Sequence, residues 1–501
     1  MKLVLAVLAA GIVLDVALFL PLPVRKVFAS VTVLVNGFAA GLVAVGSDSL
    51  FGWLLGLAML FRIFNAIRIV QGRMHERYLR ITTRRTTLSL IGLQLVIALV
   101  WTGWHYHRLD SQLLWATLAA LQLIAAIVLL ASTVRRLKRT AWPLKRVHYS
   151  DAQLPTVSVA IPARNETEDL EACLRSLVAS NYPKLEILVL DDCSQTKRTP
   201  EIIRDFAHDG VRFINGDPPE GAWLAKNQAY ERLAQEASGD YILFCGVDIR
   251  FEPQTIHDML CVMLSRHKKM LCVVPERAPA ARARAALAQS MRYFWELAPP
   301  RRLFHRPPVL SSCWIIQKQA LKKAGGFAAV TRAIVPEAHF ARELAQKGAY
   351  SFLRAGLNPG LSSTKSADEQ RATAVRTRYP QLHRRPENVL LVTLWEFTFL
   401  VLPFVLALIG AWLGIGVVAV VLAALATVLL VACYELLALS THINTWWFAL
   451  IGLPVVAVYD IALAGYSMWQ YEFDEVEWKG RNVCVPTMHV IPRLPPLHNV
   501  R

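Results

Sequence analysis

Long apolar stretches flank a central stretch in which apolar and polar positions alternate on short periods. Before it, apolar runs cover residues 1–22, 27–45, 50–67, 88–104 and 113–134, each long enough for a membrane helix. After it, runs at 390–409, 417–437 and 446–466 predict three more. Between 155 and 379 predicted strands alternate with predicted helices, the pattern of an α/β layer fold. The clearest unit opens with the β-branched run 157–161, too short for a buried helix and so an inner strand. A helix follows with Leu170, Leu174 and Leu177 on one face and Glu166, Glu168 and Asp169 at its positive end. Asn165 and Glu168 have the spacing of a reciprocal cap. Tyr182-Pro183 ends the segment, and a second buried strand, 185–190, runs into Asp191-Asp192. A crossover helix between the two strands forces them parallel. Further strands are expected at 211–214, 241–245, 271–274 and in the run 309–316. A helix is expected at about 224–235 and a Pro- and Arg-rich surface loop at 296–308.

Composition sharpens this picture. Hydrophobic residues fill 54% of 501 positions, which predicts that much of the chain lies in lipid and that it forms more than one domain. The pattern divides it into an amino-terminal membrane region of about five helices (1–150), an α/β domain (151–386), membrane helices (387–470) and a tail (471–501). The first run carries most of its flanking positive charge after it, at Arg25-Lys26, which favours a retained helix over a cleaved leader. The net charge of +17 gathers at the ends of apolar runs, in 73–85 and 135–146, so the anionic inner leaflet is the expected partner and nucleic acid is not. This predicts an integral protein of the plasma membrane with its amino terminus outside and its central domain in the cytoplasm. The eight cysteines include no CxxC pair and read as reduced core residues.

Ligands of open parallel sheets bind beyond the carboxyl ends of the strands, where Pro162 to Glu166 (PARNE) and Asp191-Asp192 (in VLDDCS) fall. These two motifs, one strand–helix–strand unit apart, resemble the opening of the membrane-bound family-2 glycosyltransferases, including ceramide, hopanoid and carotenoid glycosyltransferases and polysaccharide synthases. The resemblance implies a nucleotide-binding GT-A fold between two transmembrane helical regions. It implies donor contacts from Pro162, Arg164, Asn165, Glu166, Asp191 and Asp192, and from Lys226 and Asn227 in the GAWLAKN segment.

It also implies a divalent ion, Mg2+ or Mn2+, at Asp248 in FCGVDIRF, where Gly246 replaces the first of the family's two aspartates. A base is implied at Glu337 or its neighbour His339, with Ala338 standing where the relatives carry Asp. Arg384, in QLHRR with Arg385 in place of Trp, matches the family's Q-x-x-R-W, and Trp478 and Arg481 belong to a WKGR tail that in relatives is cytoplasmic. Three carboxyl-terminal spans would put that tail outside, so the two readings of the tail conflict.

Residue type alone reads several of these positions more simply. Lys226 becomes a solvated helix residue, Glu337 and His339 first-turn residues after Pro336, and 365–379 a basic helix on anionic lipid. The function implied is inverting transfer of a sugar from a nucleotide sugar to a lipid or lipid-linked glycan at the inner face. Alternatives are a protein that keeps the fold without turnover, as a binding or assembly partner, and a transporter suggested by Asp15, Glu396, Glu435 and Asp460 in or beside the spans.

Overall fold

The computed structural model describes residues 2–17, 25–46, 91–103, 111–143, 149–221, 223–277, 285–300, 307–355, 359–441, 446–473 and 475–484, with single positions between 55 and 88. The basic cluster 73–85 and most of the predicted span 50–67 lie outside the described residues. In chain order the helices are α1 (Lys2–Ala17), α2 (Arg25–Gly46), α3 (Ile91–Gly103), α4 (Ser111–Thr140), α5 (Glu168–Val178), α6 (Arg198–Asp205), α7 (Ala225–Glu236) and α8 (Thr255–Ser265). They continue with α9 (Ala285–Leu297), α10 (Lys318–Lys323), α11 (Glu337–Gln346), α12 (Ala367–Gln381), α13 (Pro386–Ile409), α14 (Val417–Thr441) and α15 (Trp446–Glu472). Among the described residues, α4, α13, α14 and α15 over 452–472 are long and apolar enough to cross a membrane.

The chain forms two compact units, Met1–Ile124 with Leu382–Thr427, and Ala125–Gln381 with Val428–Arg501. Hydropathy predicts a division into consecutive blocks; packing instead joins segments distant in sequence. In the first unit, Ala119, Ala419 and Ala423 pack with Leu406 and Ile415, small residues that let helix backbones approach. A turn of π-helix, Phe397–Val401, interrupts α13, and Gln122 donates to the carbonyl of Thr398 there at 2.9 Å. Asp15, Arg62 and Gln94 form a buried polar cluster, with Arg62 bonded to both partners.

The second unit is built on a seven-stranded sheet of order β3-β2-β1-β4-β8-β6-β9. Its strands are β1 (Val157–Ala163), β2 (Leu185–Asp191), β3 (Val211–Asn215), β4 (Tyr241–Cys245), β6 (Met270–Val274), β8 (Cys313–Gln317) and β9 (Tyr350–Arg354), while β5 (Ile249–Phe251), β7 (Glu276–Arg277) and β10 (Leu361–Ser363) form a small second sheet. Strands β1 to β4 are parallel, and β8 runs antiparallel to both neighbours. Ala163, Asp191 and Asn215 are in register, so β1, β2 and β3 end together.

Period-two alternation assigns the β4 side chains to two cores. Leu243 and Cys245 join the aliphatic core with Val159, Ile161, Leu170 and Leu174. Phe244 points the other way, into an aromatic core where it stacks on Trp314 at 4.4 Å with Tyr230 and Phe327 around it.

Several local expectations are corrected. The cap at Asn165 does not form: α5 starts at Glu168 after Thr167, and Asn165, at φ 48°, accepts from Gln195 N at 2.8 Å instead. Glu296 lies in α9 rather than in a loop, because Tyr293, Phe294 and Leu297 give that segment a buried face. The run 309–316 becomes a strand only from Cys313.

Helix α12, expected to lie on lipid, packs along α15. Arg378 pairs with Asp460, Trp295 Nε1 donates to the same carboxylate at 3.2 Å, Tyr379 N donates to Ser467 at 3.1 Å, and Tyr471 donates to the Arg376 carbonyl at 2.6 Å. After α15 comes a hairpin, β11 (Glu477–Trp478) and β12 (Arg481–Asn482), whose Lys479-Gly480 turn has φ 48° and 74°, the signs of a type I′ turn.

Candidate active site

The carboxyl ends of β1, β2 and β4 present Arg164 to Glu166, Asp191-Asp192 and Asp248 along one edge of the sheet. Pro162 is half-buried in register with Leu190, one step before the strand ends. Asp191 accepts from the Ser194 hydroxyl and backbone N–H, which closes the turn after β2. Arg164 donates to the carbonyls of Asp192 (2.7 Å) and Cys193, locking the same turn from the β1 side. Gly216 is required beside it, since a Cβ there would lie 2.6 Å from the Asp191 carbonyl oxygen. A cavity of about 240 Å3 opens next to this turn, lined among others by Asp192, Gly216, Asp217, Trp223 and Gln228.

The tail hairpin docks on this edge. Arg481 Nη1 lies 2.7 Å from Asp192 Oδ2 and Lys479 pairs with Glu166, while the Lys479 carbonyl accepts from Arg164 (3.0 Å) and Asn165 (3.3 Å). Burial raises the pKa of Asp192 and of Glu166, and the cation beside each acts in the opposite direction. The next hairpin residue, Trp478, lies under Arg376, whose guanidinium carbon is 4.7 Å from the ring centroid. Arg376 therefore joins the hairpin edge to a second group of charges.

That group is cationic. Lys226, at the start of α7 and 5.1 Å from the Tyr230 ring centroid, feels Arg376, Lys365 and Arg292 as repelling neighbours and Glu337 as an attracting one. Lys365 in turn is attracted by Asp248. The Asp248 carboxylate accepts from Ser363 Oγ at 2.8 Å, and its carbonyl accepts from Thr364 N at 2.9 Å. Glu337 is wholly buried at the first position of α11. One of its oxygens accepts from Ser311, and Oε2 has no hydrogen-bond partner among the described residues.

Two expected site residues of the second unit stand elsewhere. His339 is two positions along the helix from Glu337, hence on nearly the opposite face, and its Nε2 lies 3.3 Å from the Ala324 carbonyl. Asn227 is 1% exposed and donates to the carbonyls of Val330 (2.9 Å) and Ala333 (2.8 Å), so it fixes that loop and does not face the charged group. Arg384 belongs to the other unit, in the turn before α13, with φ 52°. The remaining expected residues of the second unit gather in the two connected groups described above.

Residues 158–325 match the profile described as glycosyl transferase family 2. This segment is a family-2 glycosyltransferase domain. Glycosyltransferase AglE of Haloferax volcanii is 37% identical over 99 residues, 19% of this chain and 31% of that protein. The probable glycosyltransferase YdaM of Bacillus subtilis is 32% identical over 120 residues, 23% of this chain and 28% of that protein. The chain thus spans about a third of the length of these curated relatives. The mannosyltransferase PcManGT of Pyrobaculum calidifontis, solved with GDP-Man and Mn2+, aligns at 17% identity and a TM-score of 0.45, covering 72% of this chain and 99% of that one.

Within the glycosyltransferase domain and the segments around it, the donor set for a divalent ion is thin. Asp248 is the one carboxylate at the expected position, one of its oxygens is engaged by Ser363, and Lys365 already supplies it with positive charge. Among the described residues no group of three or more His, Cys, Asp or Glu side chains could hold a metal. These residues do not make a protein-borne site for a cation that demands about six oxygen ligands.

No motif in the sequence marks Arg292, Lys365 or Arg376 as site residues. They lie outside the recognised motifs, and Lys365 and Arg376 also lie beyond the matched segment. Arg376 belongs to the basic run 365–379, which also fits a helix on lipid, and nothing local marks Arg292.

Proposed function

We propose that the protein transfers a sugar from a nucleotide sugar to a hydroxyl of a lipid or lipid-linked glycan, with inversion. One observation carries this reading: in a family-2 glycosyltransferase domain, Asp192 lines a cavity at the carboxyl edge of parallel strands and pairs with Arg481 of the hairpin whose Trp478 lies under Arg376 of the cationic group. The nucleoside occupies the cavity beside Asp192 and Trp223, and the diphosphate extends toward Lys226. The acceptor oxygen attacks the anomeric carbon as its proton passes to Glu337, the carboxylate with an oxygen unengaged among the described residues. The bond from that carbon to the diphosphate oxygen breaks with its electron pair leaving on the phosphate, and a single displacement inverts the centre.

A membrane acceptor is supported by helix α15, which is apolar enough to span a membrane and holds α12 of this same unit. A cytoplasmic placement in the plasma membrane is the reading that the basic clusters and the eight free thiols favour. The test is nucleoside diphosphate release by the full chain in lipid nanodiscs, offered a panel of nucleotide sugars with native membrane lipid as acceptor. Release that disappears in Glu337→Gln supports transfer. Nucleotide binding without release for every donor would instead favour a binding or assembly role.

A further inference from the structure

The chemistry that would neutralise the diphosphate departs from a metal site in a consistent direction. Gly246 supplies no carboxylate, and the space beyond it is taken: a Cβ built there would lie 2.5 Å from Asp248 Oδ1. The single aspartate is folded into the room that a second one would need. The chain Ser363-Thr364-Lys365 wraps that aspartate with a hydroxyl on its carboxylate, an amide on its carbonyl, and an ammonium nearby. Arg277 Nη2 holds the Lys365 carbonyl at 3.1 Å, so this wrapping is anchored in the small sheet.

Around it stand four cations, Lys226, Arg292, Lys365 and Arg376, with Asp248, Glu337 and Glu369 as the opposing carboxylates. Burial and mutual repulsion push Lys226 down to about 8 and lower Lys365, and burial lowers Arg376 to about 10, so an arriving anion relieves a repulsion already present. Arg376 needs little reorganisation, because it is stacked on Trp478 and its helix is bonded to α15.

Resting on the donor reading above, we propose that Arg292, Lys365 and Arg376 act with Lys226 as a protein-borne cage for the donor diphosphate, so that binding and transfer proceed without a divalent ion. The leaving group then departs with the electron pair of the broken glycosyl bond into this cage, and the acceptor proton goes to Glu337.

The test uses the full chain in phosphatidylglycerol-containing nanodiscs, titrated calorimetrically with ADP, CDP, GDP, UDP and dTDP, each in excess EDTA and in millimolar Mn2+. The expected result is that the nucleotide that binds does so with affinities within about threefold in the two conditions. Lys365→Met and Arg376→Met should each weaken binding in EDTA by roughly tenfold, and Lys365→Arg should restore most of it. Thermal unfolding of each variant separates lost binding from lost fold. Binding that requires Mn2+, or is unchanged in folded Lys365→Met and Arg376→Met, overturns the cage and leaves the donor reading intact. Absence of binding by all five nucleotides in both conditions overturns the donor reading and the cage with it.

Discussion

Lys226 is held below its ordinary value of 10.5, at about 8, first by burial and then by Arg376, Lys365 and Arg292, with Glu337 pulling the other way. A lysine depressed in the folded state loses its charge as pH rises through that lowered value, and an anion bound beside it restores the proton. Nucleoside diphosphate affinity should therefore decline as pH rises from about 8 toward 10, with proton uptake on binding. Calorimetry in buffers of different ionisation heat measures both. In the free protein the sign is reversed: the charged form is the disfavoured one, so Lys226 contributes stability only as pH rises above about 8, and Lys226→Met should raise the thermal midpoint at neutral pH.

Gly246 gives a second residue-scale prediction. Gly246→Ala drives the Asp248 carboxylate away from its Ser363 bond, and should weaken nucleotide binding by about threefold to tenfold without unfolding the sheet. The sequence made Asp191, Asp192 and Lys226 legible because their motifs sit at strand and helix ends in a fixed order. Arg292 and Lys365 were not legible, because only the fold brings them beside Lys226 and no local pattern marks them.

At the scale of elements, the hairpin 477–482 stands on one turn. Its second turn residue, Gly480, has φ 74°, and a Cβ there would meet Gln195 Oε1 at 2.7 Å. Gly480→Ala should cost roughly 1–2 kcal/mol of hairpin docking through the left-handed backbone alone. Faster amide exchange confined to residues 476–483, with the sheet unchanged, is the expected observation. Arg481→Met tests the same docking through charge, since it strands Asp192, 5% exposed, without its cation. The unpaired charge on Asp192, which lines the cavity, should then lower nucleotide affinity more than Gly480→Ala does.

The longer elements were legible from periodicity: β1, β2, β3, β4 and α7 fall within two residues of where the apolar pattern puts them. The small sheet was not, because strands of two or three residues carry no period. The capping box at Asn165 failed for a physical reason, since that side chain holds Gln195 across the carboxyl edge of the sheet instead of its own helix. A residue at the carboxyl edge of the sheet broke the local rule that its spacing suggested.

At the scale of the whole molecule, hydropathy located apolar helices but not their allegiance, because a run of leucines and valines carries no record of its packing partner. Arg354, at the end of β9, provides part of that record within the second unit. It donates to the Leu137 carbonyl (2.9 Å), to Thr140 Oγ1 (3.0 Å) and to the Ser440 carbonyl (2.9 Å), so one guanidinium caps the carboxyl ends of α4 and α14. Helix carboxyl ends carry partial negative charge, and a cation there satisfies both the carbonyls and the dipoles.

Arg354→Met keeps the bulk of the stem and removes all three bonds, leaving two helix-end carbonyls without their donor. The expected cost is about 2–4 kcal/mol, read as a lower thermal midpoint in nanodiscs, with partial recovery in Arg354→Lys, which restores charge but not the fork. Arg354 lies at the far edge strand of the sheet, away from β1 and β2, so nucleotide affinity measured below the new midpoint should stay close to wild type. If affinity falls in step with stability, the apolar helices do more than anchor the unit: their docking is then part of what holds the donor site in shape.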